Sequence, residues 1–190
     1  MATTLIPETV PERLSYSRVA MWLHWTIAIL IAANLLLGFF HEDFGKAATP
    51  WLMFFHKSIG ISILGLTLVR LGWRLGHRPP PFDAVLAPWE RTTARAVHGL
   101  FYLFLIAIPL TGWMLSSSSN RPINFFGLFE IGVLPVARTD GAHDLFEELH
   151  EIAAKLMLGL IALHLLGAIK HHLQGHRHLI GRMGPWLYRG

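Results

Sequence analysis

The sequence predicts an all-α integral membrane protein, a four-helix antiparallel bundle with both termini cytoplasmic. Three observations predict it. Four stretches of about 20 residues are apolar and nearly free of charge, the length a helix needs to cross a bilayer. Charged residues make up 15% of the 190-residue chain and hydrophobic ones 53%, against about 25% charged in an ordinary soluble domain. Lysines and arginines cluster on one side of the four stretches.

The first span covers residues 19–40 and contains no Asp, Glu, Lys or Arg. The second, residues 51–69, is interrupted only by Lys57, and the third, residues 96–115, is again uncharged. The fourth covers residues 152–169, and its helix is expected to begin near Leu145, because Phe146, Leu149, Ile152 and Ala153 recur at helical spacing. Lipid offers backbone groups no hydrogen-bond partner, so each span must be helical. An even number of spans returns both termini to one side. That side carries eleven of the sixteen Lys and Arg, five of them between the second and third spans, and is cytoplasmic by the positive-inside rule. Trp22, Trp25, Trp51, Trp73 and Trp113 sit near span ends, where aromatic belts lie.

The chain then divides into a cytoplasmic N-terminal segment (1–18), a transmembrane domain (19–170) and a cytoplasmic His- and Arg-rich tail (171–190). No cleavable signal peptide is expected, since the first span is long and lacks a small-residue cleavage site. The prolines between Arg78 and Pro88 make a stiff linker. Between Ser116 and Asp144 a long outer loop is expected, in which the apolar run from Phe125 to Phe129 lies on the membrane or caps a pocket.

Composition also excludes chemistry. So few charges cannot solvate a disordered or nucleic-acid-coating chain. With no cysteine there is no disulfide, iron–sulfur cluster, covalently attached haem or thiolate zinc. Twelve histidines equal all Asp and Glu combined, and histidine is the commonest metal ligand.

Four of these histidines lie inside the spans at matched depths. His24 is near the cytoplasmic end of the first and His56 near the outer end of the second; His150 and His164 lie near the outer and cytoplasmic ends of the fourth. The fourteen residues from His150 to His164 correspond to about 21 Å of rise and a rotation about 40° short of four turns. Both rings therefore face nearly the same way. His56 shares the depth of His150, and His24 that of His164, so two pairs result, each able to clamp a flat metal macrocycle. One intramembrane histidine alone reads equally well as an interhelical hydrogen-bond partner; four at two depths favour ligands. Gly60, Gly65, Gly99, Gly112, Gly159 and Gly167 either let a planar cofactor approach the backbone or pack helices together.

Several motifs carry a family resemblance. They are Trp22-Leu23-His24-Trp25, His56-Lys57-Ser58-Ile59-Gly60 and Val69-Arg70-Leu71-Gly72-Trp73-Arg74, then Gly112-Trp113-Met114, Phe126-Gly127-Leu128-Phe129, Leu149-His150-Glu151 and Leu163-His164-Leu165. In these the chain resembles, over about residues 15–180, the bacterial cytochrome b561 family of small dihaem membrane proteins. The resemblance implies four antiparallel helices holding two non-covalent b-type haems. It puts His24 and His164 on the cytoplasmic haem, and His56 and His150 on the outer one. Two imidazoles closing both axial positions suit outer-sphere electron transfer.

The remaining polar residues keep alternatives open. Arg70 and Arg74 are either partners of haem propionates or positive-inside anchors. Lys57 pairs with a propionate, attracts an anionic donor, or snorkels to the outer interface. His98 shares the cytoplasmic depth and is assigned to a propionate or a quinone. His171, His172, His176 and His178 form a solvated interfacial tail in preference to a transition-metal site. His41, His77 and His143 are read as loop residues.

The expected function is electron transfer through two haem b in the respiratory (inner) membrane, with ubiquinone as lipid-soluble partner. Family members include superoxide:quinone oxidoreductases. That activity is open here, since the acidic residues of the outer loops do not steer an anion by net charge. The alternative is a haem-b anchor subunit of a hydrogenase or formate dehydrogenase, with the outer loop as docking face. A di-iron desaturase is disfavoured, because it needs several histidine clusters at one membrane face.

Overall fold

The structure, a computed structural model, describes residues 15–184. Arg13, Arg189 and the outer ends of the two terminal segments lie outside the described residues. Four helices dominate: α1 (Arg18–Phe40), α2 (Thr49–Gly76), α3 (Pro88–Ser118) and α4 (Asp140–Leu173). All four are long and apolar enough to cross a membrane. Their 23 to 34 residues give lengths of about 35 to 51 Å, against a hydrocarbon core of about 30 Å.

At three of the four helices a cap, not hydropathy, sets where the helix starts. Ser17 Oγ accepts the Ala20 amide at the start of α1. At the start of α3, Pro88 takes the first turn and the Glu90 carboxylate accepts the Ala87 amide at 2.8 Å. Thr139 Oγ1 accepts the Ala142 amide and starts α4 before the expected Leu145. This corrects His143: it lies in the first turns of α4, with Nδ1 3.1 Å from the hydroxyls of Ser118 and Ser119.

The expected long loop is shorter and partly structured. Strands β1 (Ile123–Phe125) and β2 (Phe129–Ile131) form an antiparallel hairpin pairing Phe125 with Phe129. Its turn places Phe126 and Gly127 at positive φ. Ser58 of α2, fully buried, fastens it: the hydroxyl reaches the carbonyls of Phe54 and Asn124 and accepts the Phe126 amide at 3.1 Å.

The closely packed helix pairs are α1 with α2, α2 with α3 and α3 with α4. The buried core is small. Ile27, Ile63, Leu105 and Met157, one from each helix, form a plug at mid-depth. Met157 is seven residues from both His150 and His164, so the plug separates the two histidine levels. The hairpin marks one end of the bundle, and the described starts and finishes of the chain mark the other, the terminal end.

At the terminal end the tail is solvated in part: His172, Gln174 and Arg177 are exposed, while His171, His176 and His178 are half-buried. A short helix α5 (His178–Gly181) returns toward the proline linker. There Arg182, 7% exposed, donates to the Pro81 carbonyl, and His178 pairs with Asp83 at 3.1 Å. Trp25 Nε1 donates to the Met183 carbonyl at 2.8 Å, and the Tyr16 amide to the Arg182 carbonyl. Gly175 at φ 82° makes the reversal after α4, since glycine adopts that conformation without a Cβ clash. The tail closes because charged groups sequestered near the apolar bundle end need partners.

Candidate functional site

Two imidazole pairs stand at the two levels. The His24 and His164 rings have centroids 6.5 Å apart, and those of His56 and His150 are 6.0 Å apart. A metal–imidazole bond is about 2 Å and the ligating nitrogen stands about 1 Å from its ring centroid, so two imidazoles trans on one metal have centroids about 6 Å apart. Both pairs have that separation.

The helices explain why these pairs leave room. His24 and His164 belong to α1 and α4, and His56 and His150 to α2 and α4. Neither is among the closely packed helix pairs. His98 is different. Its ring lies 5.9 Å from that of His164, but it sits on α3, packed directly against α4. Sequence depth alone did not separate His98 from His24; helix neighbours do.

The hairpin-end pair has fixed tautomers. His56 Nδ1 lies 3.1 Å from the Asn34 carbonyl oxygen, and His150 Nδ1 3.0 Å from that of Ile108. A carbonyl only accepts, so each Nδ1 carries the proton and each Nε2 keeps its lone pair. Neutral imidazole with a free nitrogen is the form that binds iron. Gly38 and Gly112 lie against these rings, and a Cβ on either would stand 3.0 Å from the neighbouring Cε1. The donor set and these glycine cradles fit a bis-imidazole macrocycle. Gly38 was missed by sequence reasoning. Of the glycines it singled out, Gly65, Gly99, Gly159 and Gly167 have open space where a Cβ would stand, with neither a helix nor a ligand ring against them.

Around the terminal-end pair lie Arg70 and Arg74. Arg70 Nε donates to the Tyr102 hydroxyl at 3.3 Å, and the Arg74 guanidinium stands 5.7 Å from the centre of that ring. No carboxylate pairs with either among the described residues. They line a cleft of about 140 Å³ with Tyr16, Ser17, Trp73 and Tyr102. Tyr102 is an addition from the structure; a tyrosine in an apolar span carries no signal until a partner is known. His77 stacks on Trp73 at 3.8 Å at the end of α2.

At the hairpin end Lys57 does not extend along the surface. Its Nζ donates to Ser116 Oγ at 3.2 Å, and the side chain borders a cavity of about 200 Å³ with Met53, Phe54, Pro122 and Asn124. His171, His176 and His178 form a chain of rings 6.3 and 6.2 Å apart, but among the described residues no three His, Asp or Glu converge on a metal position.

Among the described residues outside the four long helices, Asp83 departs clearly from its ordinary value. Burial works against the Asp83 carboxylate, but the Val85 amide and His178 outweigh it and hold its carboxyl below the usual range.

Known proteins match this chain in sequence along nearly its whole length. The family described as prokaryotic cytochrome b561 matches residues 15–186. The chain is 32% identical to cytochrome b561 homolog 2 of Escherichia coli (strain K12) over 167 residues, covering 85% of this chain and 86% of that protein. It is 27% identical over 176 residues to the probable superoxide oxidase CybB of Yersinia pestis, covering 90% and 96%. Over 172 residues it is also 27% identical to cytochrome b561 homolog 1 of Escherichia coli (strain K12), covering 90% and 97%. The chain therefore belongs to the prokaryotic cytochrome b561 family, a multi-pass protein of the bacterial inner membrane whose family binds b-type haem and transfers electrons.

Proposed function

We propose that the chain carries two b-type haems, one held by His24 and His164 and one by His56 and His150, and moves electrons across the membrane between ubiquinone and a partner at the opposite face. The observation that carries this is the pair of ring separations, 6.5 and 6.0 Å, at two ends of one bundle. The terminal end is cytoplasmic on this reading, since it holds most of the Lys and Arg.

Bound haem supplies a one-electron couple at each level. The chain's residues do the rest. The four imidazoles would hold the two haems, and iron held by two imidazoles suits outer-sphere electron transfer rather than oxygen binding. The plug of Ile27, Ile63, Leu105 and Met157 keeps water from the space between the levels. Arg70 and Arg74 meet propionates, as guanidinium suits a carboxylate. His98, beside His164 but on a packed helix, hydrogen-bonds a quinone carbonyl or a propionate.

Superoxide is the proposed donor at the hairpin face. Likeness to the probable superoxide oxidase of Yersinia pestis supports it, and so does the half-buried Lys57 ammonium beside its small cavity. A local cation attracts a small anion even where the net surface charge does not. The test is a pyridine haemochrome assay on purified protein, followed by rapid mixing with superoxide and a ubiquinone analogue. Two haem b per chain and accelerated superoxide loss coupled to quinone reduction are expected. A folded, colourless protein from haem-replete cells contradicts the reading. Superoxide decay unchanged by the coloured protein removes that donor alone.

A further inference from the structure

The two hairpin-end imidazoles are held by one device used twice. His56 donates from Nδ1 to the Asn34 carbonyl of α1, and His150 from Nδ1 to the Ile108 carbonyl of α3. Four residues beyond each carbonyl stands a glycine: Gly38 after Asn34, and Gly112 after Ile108. In a helix, the residue four positions on lies beside that carbonyl and donates its amide to it. A side chain there would fill the place from which an imidazole reaches the second lone pair. The distances show how little room remains. A Cβ on Gly38 would stand 3.0 Å from His56 Cε1 and 3.4 Å from Nδ1; on Gly112, 3.0 and 3.2 Å from the same atoms of His150.

The terminal-end pair lacks the device. Among the described residues no backbone carbonyl accepts from His24 or His164. Their neighbours are the rings of Trp25, Phe101 and His98, with Arg70 and Arg74 at that end of the bundle. An imidazole whose other nitrogen donates a hydrogen bond is a more basic ligand. A more basic ligand favours ferric iron, whereas nearby guanidinium charge favours ferrous iron.

We propose that Gly38 and Gly112 are positioning residues, each clearing a helix carbonyl to orient an axial imidazole, and that they set the hairpin-end haem at a lower midpoint potential than its partner. The proposal rests on the ligand reading above. It gives the two levels a built-in order: reducing equivalents collect at the terminal end.

The test is redox titration of purified, haem-loaded wild type, His56→Ala, Gly38→Ala, Gly112→Ala and, as control, Gly141→Ala, where a Cβ meets nothing within 4 Å. The haem surviving in His56→Ala is expected to titrate at the higher of the two wild-type midpoints, the two differing at least tenfold in reduction equilibrium, about 59 mV for one electron. Gly38→Ala and Gly112→Ala are expected to raise the lower midpoint, or to lose that haem alone, while Gly141→Ala changes neither. Two haems with unmoved midpoints in both alanine variants would overturn the glycine role. Should an alanine variant not fold, the wild-type and His56→Ala titrations decide: a surviving haem at the lower midpoint overturns the proposal. Two haems retained in His56→Ala would instead overturn the ligand reading itself.

Discussion

His98 stands 5.9 Å from His164, nearer than His24 at 6.5 Å, yet its helix packs directly on that of His164 while α1 does not. Ring distance therefore does not choose between them, and on the proposed reading the less closely packed α1 and α4 hold the ligand pair. His98→Ala is therefore expected to keep two haems while slowing quinone reduction, with a raised KM for the quinone analogue. Loss of one haem per chain in the haemochrome assay would make His98 a ligand.

Lys57 provides a second separation of roles. Its ammonium lies beside a cavity near His56 and contacts no carboxylate among the described residues. Lys57→Met should leave the haem count unchanged and slow reaction with superoxide by about tenfold, and raised salt should slow the wild type more than the variant. Equal salt dependence of the two would remove Lys57 from donor attraction.

Ser58 ties the hairpin to α2 through contacts to Asn124 and Phe126. Ser58→Ala leaves the part-buried Phe126 amide short of an acceptor, a loss of about 1 kcal/mol. Hydrogen exchange over residues 123–131 should quicken while α3 and α4 remain protected. Unchanged protection would mean the strands hold the hairpin unaided.

The tail clasp gives a pH dependence with a definite sign. The Asp83 carboxyl is held below its ordinary value despite burial, by the Val85 amide and His178. A depressed folded pKa means stability present above the unfolded value and lost as pH falls through the folded one. Asp83→Asn should lower Tm at pH 6, and the difference from wild type should shrink below about pH 4, the ordinary carboxylate range. A difference that does not shrink at all as pH falls well below the ordinary carboxylate range would trace the effect to packing alone.

Much of this protein is legible in its sequence, for identifiable physical reasons. The spans are legible because lipid admits only helices, and the levels because helix rise is fixed, so the fourteen residues from His150 to His164 give a distance. Gly38, Asn34 and Ile108 stayed hidden, since their roles depend on which helices are neighbours. His143 was misplaced because Thr139 starts α4 outside the apolar window. The Asp83–His178 and Arg182–Pro81 contacts join segments far apart in the chain, with no periodicity to announce them.

The most direct measurement is the haem content of His24→Ala and His150→Ala, purified beside the wild type and read by pyridine haemochrome and reduced-minus-oxidised spectra. The account predicts two haem b per wild-type chain and one in each variant, with different surviving spectra: the hairpin-end haem in His24→Ala and the terminal-end haem in His150→Ala. Identical surviving spectra, or two haems retained in either variant, would contradict the pairing of imidazoles at two levels.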